Sequence, residues 1–218
     1  MRKQTNKFIV LVLVAFFSFN ISATNSIELK VPKKIDLSSL SGGGNIKDIK
    51  LKFTKIFFES SLNYMEAQFH LFNALEMNDE ASKTRKSIDF VKNEKNKEGK
   101  RLTNAFNAVS ENSSAIEGAL TKEAANSTEA KVHYAKALPY TVNGVLGTIQ
   151  LPPEANNLLN SIKANKMAVL KMGDFLKVLP RIPEYVKNAT TVGKLIVTGA
   201  KSRDVKGAKD ATSKLGDL

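Results

Sequence analysis

One stretch of this chain restricts its possible folds more than any other. Between Ile46 and Met77, Phe53, Ile56, Phe57, Tyr64, Ala67, Leu71 and Leu75 recur at spacings of three and four. That is the period of an α-helix with a buried face. Phe58, Leu62, Met65, Phe69 and Phe72 widen the face beyond half the circumference. A helix apolar over so wide an arc has partners on several sides. The pattern predicts a central helix of roughly 48 Å, at 1.5 Å per residue.

Asn78-Asp79 is placed to stop this helix and cap the next. So short a connection makes the two helices antiparallel neighbours. The second helix runs from about Glu80 to Ser110, and its Lys/Glu block Lys92–Arg101 reads as a solvated face. Two signals then compete. Ser114 and Glu117 have capping-box spacing before Ile116 and Leu120. Leu102, Phe106, Val109, Ser113, Ile116 and Leu120 keep the unbroken spacing of one continuous helix. An unbroken helix here would reach roughly 90 Å, much of it unsupported, so the expected break lies at 110–114.

Pro139 is expected to end the third helix. Thr141–Leu151 is apolar, β-branched and interrupted by Gly144 and Gly147, so it reads as a connector. Pro152-Pro153 opens a fourth helix, running to about Val178 on Leu158, Leu159, Ile162, Met167, Leu170, Phe175 and Leu176. Pro180 and Pro183 mark a turn, a last helix covers Glu184–Lys201, and the tail is expected to fray from Ser202. The expected fold class is all-α: an up-and-down bundle of four to five helices that starts with an antiparallel hairpin. The β-branched segments Ile27–Val31, Thr141–Leu151 and Val192–Val197 give the alternative, α+β with a small strand pair packed on the bundle.

Ahead of the bundle, Arg2, Lys3 and Lys7 precede the apolar run Phe8–Phe17, and Ile21-Ser22-Ala23 offers a small residue for cleavage. This is the layout of a secretory signal. The run ends at Asn20, short of the roughly 20 apolar residues of a membrane span. The expected organisation is a cleaved signal at 1–23, a leader with a Gly-rich linker at 24–45, the bundle at 46–203 and a basic tail at 204–218. The mature chain has no transmembrane helix and is expected in the periplasm or secreted. With no Cys there is no lipid-anchored cysteine, disulfide or thiolate metal site.

No G-x-S-x-G, H-E-x-x-H or G-x-G-x-x-G is present, and the expectation is a non-enzyme without a cofactor. One pattern bears on metal chemistry. Glu66 and His70, and Glu129 and His133, are each spaced i, i+4, so each pair shares a helix face. If those faces meet, two Glu and two His form a metal set, or two imidazoles clasp a haem. Both pairs also lie on the polar stripes of their helices, which makes them ordinary solvent faces.

Charge is uneven. The chain carries +12, and residues 161–218 hold 12 basic and 5 acidic side chains. Lys163, Lys166, Lys171, Lys177, Arg181 and Lys187 form the candidate partner-binding set. Outside the cytoplasm it would meet anionic envelope surfaces or an acidic protein. Nucleic acid is disfavoured, because Phe175 and Tyr185 are the only aromatics there. The resulting expectation is an exported binding protein of adaptor, holdase or envelope-associated type. A membrane-active effector that inserts Thr141–Leu151, and the Glu/His metal or haem binder, are the alternatives. Amino-terminal sequencing of the exported protein should begin near Thr24. Recovery of intact Met1–Phe19 on membranes would instead make the segment an anchor.

Overall fold

A computed structural model describes residues 45–120 and 127–216. The signal segment, the leader and the possible strand at Ile27–Val31 lie outside the described residues. Within them the fold is an all-α helical bundle, and no strand occurs among the described residues.

Helix α1 (Ile46–Ala74) is the central helix. Asn45 caps it, its side-chain Oδ1 accepting from Lys47 N at 2.9 Å and Asp48 N at 3.3 Å. Phe53, Phe57, Tyr64, Met65, Leu71 and Phe72 are fully buried. Helix α2 (Asn78–Lys92) folds back against α1. Asn78 is its first residue rather than its cap, and Glu76 takes the left-handed turn, with φ of 58°.

Helix α3 (Glu98–Leu120) corrects the expected break at 110–114. The capping-type side chains there are used inside the helix or in the core. Ser113 Oγ donates to Val109 O at 2.7 Å and Ser114 Oγ to Ser110 O at 3.3 Å. Asn112 Nδ2 donates to Gln68 Oε1 and to Thr84 Oγ1, each at 3.0 Å, tying α3 to α1 and α2. The break falls instead at 93–97, within the Lys/Glu block.

Helix α4 (Thr128–Thr148) is capped by Ser127, whose Oγ accepts from Ala130 N at 3.0 Å. It runs through Pro139, which was expected to end it. Most of the expected connector, Thr141–Leu151, is therefore the second half of a helix. Within the segment Val142, Val145 and Leu151 are buried, while Ile149 is exposed. An interior proline costs about 3 kcal/mol, and α4 offsets it by packing along α1 on one side and α8 on the other.

Helix α4 lies antiparallel on α1. A Cβ on Gly144 would sit 3.0 Å from Tyr64 Cα, and one on Gly147 would sit 2.7 Å from Ser60 Cβ. Helix α8 (Ile182–Lys201) runs parallel to α1: Ser61 Oγ and Tyr185 Oη share a 2.7 Å hydrogen bond, and Tyr64 Oη donates to Ala189 O at 3.0 Å. Burial raises the pKa of both phenols, so they stay neutral. Val192–Val197, the other possible strand, lies within α8.

Between α4 and α8 the expected single helix is three. Helices α5 (Leu151–Lys163), α6 (Lys166–Lys171) and α7 (Gly173–Val178) are followed by a 3₁₀ turn at Leu179–Arg181. They cap the end of the bundle where α1 begins. Lys52 pairs with Glu154 at 2.8 Å, and Phe175 meets Phe53 edge-on at 6.4 Å. The expected fraying tail holds helix α9 (Ala208–Leu215), docked on α8 and α4. Val205, Ala208, Ala211 and Leu215 are buried, and Gly207 supplies the left-handed turn at φ of 88°.

The glycines yield a contrast. Gly144→Val should destabilise the protein by about 3 kcal/mol or more, because the methyls meet the α1 backbone. Gly118→Ala, where a Cβ meets nothing within 4 Å, should stabilise by about 0.5–1 kcal/mol. Urea denaturation of both variants checks this. Equal effects would mean that α1 and α4 do not approach so closely.

Candidate functional site

Two regions gather the side chains with chemical potential, one near each end of α1. Near its C-terminal end, His70 of α1 and His133 of α4 face each other, ring centroids 5.8 Å apart. Tyr140, two turns beyond His133, stacks on His70 at 5.9 Å and 24°. It was not among the sequence-derived candidates, although its i+7 spacing from His133 places it on the same helix face. Both Nδ1 atoms are buried without a hydrogen-bond partner among the described residues.

The structure thus joins the two histidines, while of their expected carboxylates one is engaged by α2 and the other is exposed. Glu66 faces α2: Arg85 donates to both its oxygens at 3.1 Å, and Lys92 donates at 2.9 Å. Burial alone would raise the Glu66 pKa, but these charged donors prevail and lower it. Glu129 is exposed. A structural zinc site takes four protein ligands and a catalytic one three. Among the described residues no group of three or more His, Cys, Asp or Glu is placed to hold a metal ion.

The imidazoles are placed to remain neutral. Burial, the proximity of His133, and the charges of Lys136 and Arg85 lower the His70 pKa to about 4, against an opposing pull from Glu66. Burial and Lys136 lower that of His133. Cationic imidazoles would repel each other in this position.

At the other end lie the candidate partner-binding residues. Lys163, Lys166, Lys171, Lys177, Arg181 and Lys187 are all exposed on α5–α8. The two acids within 161–187 are already engaged: Asp174 with Lys177 at 3.6 Å and Glu184 with Arg181 at 3.5 Å. Arg181 also lies over the Phe106 ring at 4.5 Å. Lys163, Lys166, Lys171 and Lys187 form no ion pair among the described residues.

Amid these lysines is a feature the sequence reading missed. Met167 is 60% exposed and Leu170 80% exposed, and Val169 is also exposed. Met167 and Leu170 were expected to continue the core stripe of one long helix. The stripe in fact stops at Ile162, because the positions three and four further on are Asn165 and Lys166. Asn165 caps a new helix there, accepting from Met167 N at 3.1 Å and Ala168 N at 3.2 Å. The polar break in the stripe was the available signal.

The histidine pair makes stability depend on pH. In the unfolded chain both imidazoles protonate near the ordinary value of about 6.5. In the fold they resist protonation, so as pH falls below that value the unfolded state binds more protons and stability declines. For His70 the decline runs from about 6.5 to about 4. Discounted for its half-burial, the loss between pH 7 and pH 5 is on the order of 1 kcal/mol. Denaturation midpoints at these two pH values should show it in the native chain and less of it in His70→Gln. Equal slopes would place the pH sensitivity elsewhere.

Comparison with protein-family models, curated proteins and solved structures found no match, so the functional reading rests on these two regions.

Proposed function

We propose that the chain is an exported, non-enzymatic binding protein that engages an anionic surface or partner through the lysine-bearing face of α5–α8. One observation carries this reading: four exposed lysines, Lys163, Lys166, Lys171 and Lys187, have no acidic partner among the described residues and stand on a helical support. Each lysine near an anionic surface contributes about 1 kcal/mol, within a Debye length of about 8 Å at physiological salt. The support is firm on α8, where Ile182, Tyr185, Ala189, Val192 and Ile196 are buried. Phe175 and Tyr185 are also buried, so this face offers no aromatic platform for stacking bases.

The test uses a soluble polyanion, a sulfated polysaccharide matrix. The chain should bind at low salt and elute well below 1 M, where the Debye length is about 3 Å. Lys163→Glu, Lys166→Glu, Lys171→Glu and Lys187→Glu together should abolish retention. Lys83→Glu, Lys86→Glu, Lys95→Glu and Lys97→Glu make the same change in net charge on α2 and beyond it, and should leave most retention intact. Equal losses in the two variants would mean that net charge alone, and no particular face, does the binding.

A further inference from the structure

We infer that the anionic surface is a phospholipid membrane, and that α6 is the element that enters it, with Met167 and Leu170 among the acyl-chain ends. This rests on the reading of α5–α8 as an anion-seeking face and names its partner.

Four observations combine. First, α6 is held by very little: its main contacts are with α5 and α7, its neighbours in the chain, and Ala168 is its one buried side chain. Second, its exposed side chains are those that water tolerates least. Met167 and Leu170 are 60% and 80% exposed, and Val169 is exposed beside them. Third, Lys166 and Lys171 bracket this apolar set and Lys163 lies one turn before it, with no acid between 163 and 171. Fourth, no helix of the described residues is long and apolar enough to cross a membrane, so a contact of this kind lies in the interface.

The combination favours lipid over the other anionic partners. A polyanion or an acidic protein would satisfy the lysines, but a purely charged partner would leave Met167 and Leu170 in water. An interface with anionic headgroups above and acyl chains below satisfies both at once. Lysine stems are long enough to keep their ammonium groups at headgroup level while the apolar tip goes deeper. Six helical residues span about 9 Å, a length that lies within the boundary layer between headgroups and chains. Neither component suffices alone: stable interfacial binding takes an apolar anchor together with a basic patch.

The test is vesicle binding by the exported protein. Vesicles of phosphatidylglycerol mixed with phosphatidylcholine should bind the chain, and pure phosphatidylcholine should bind it at least about tenfold more weakly. Met167→Gln with Leu170→Gln, which adds no charge, should weaken binding to the anionic vesicles at least about tenfold and leave retention on the polysaccharide matrix unchanged. These side chains are exposed, so circular dichroism should be that of the native protein. Because the chain has no cysteine, Leu170→Cys and, as control, Thr191→Cys on α8 give unique attachment points for an environment-sensitive dye. Anionic vesicles should shift the emission of the dye at 170 to the blue and leave the dye at 191 unmoved.

Vesicle binding that ignores the two Gln substitutions, with no shift at 170, would overturn the entry of α6 while the charge-based reading stands. Retention on the polysaccharide with no vesicle binding would replace the membrane by an acidic macromolecule. Failure to bind either would remove both proposals.

Discussion

The close approach of α1 and α4 is the constraint on which the rest of the structure depends. Gly144 lies against the backbone of Tyr64 and Gly147 against Ser60, with no side chain between. That contact brings α8 within reach of both helices. Tyr64 can then donate to Ala189 O, and Val145 fills the space left by Gly193, where a Cβ would sit 2.6 Å from its Cγ2. The sequence of α4 is a poor helix in isolation. It contains Pro139, two glycines facing α1 and several β-branched residues, each unfavourable to a free helix. Its helicity comes from burial between partners, as is usual for helices that are marginal alone.

This explains which parts of the fold were legible in the sequence. Helix α1 could be read because its pattern reports on itself through a wide apolar face at helical spacing. The all-α class followed, since such a face needs helices around it. The breaks were misplaced because a capping side chain looks the same whether it caps or not. Ser114 and Glu117 have the right spacing, but Ser113 and Ser114 bond back to their own helix and Asn112 is drawn into the core by Gln68. The true break carries weaker marks. Asn93 Oδ1 accepts from Lys95 N at 3.1 Å, and Asn96 Nδ2 donates to Phe90 O at 2.9 Å. A β-branched run such as 141–151 has no local sign that a neighbouring helix will hold it helical.

The two candidate regions were legible to different degrees. That Glu66, His70, Glu129 and His133 fall on similar faces was visible from spacing alone, and the two histidines do meet. That Glu66 would be taken by Arg85 and Lys92 was not visible, because it depends on how α2 folds back over α1. The lysines were found by counting charges. The exposure of Met167 and Leu170 was hidden by the assumption that an apolar residue near helical spacing continues a stripe.

Distance along α1 separates the roles of these regions. Phe53, which packs on α7, and His70 are 17 positions apart, or about 25 Å at 1.5 Å per residue. That is about three Debye lengths at physiological salt, so a charge placed on His70 contributes little to the field around α6 through solvent. Acid could reach the lysine face only by loosening the contact of α1 with α4, and so of α8 with both. Helix α6 itself is loosely held, and local stability of that kind lets an element rearrange without unfolding the rest. The division is therefore mechanical as well as chemical. A rigid bundle fixes the lysines of α5, α7 and α8, and the one weakly packed helix among them carries the apolar side chains.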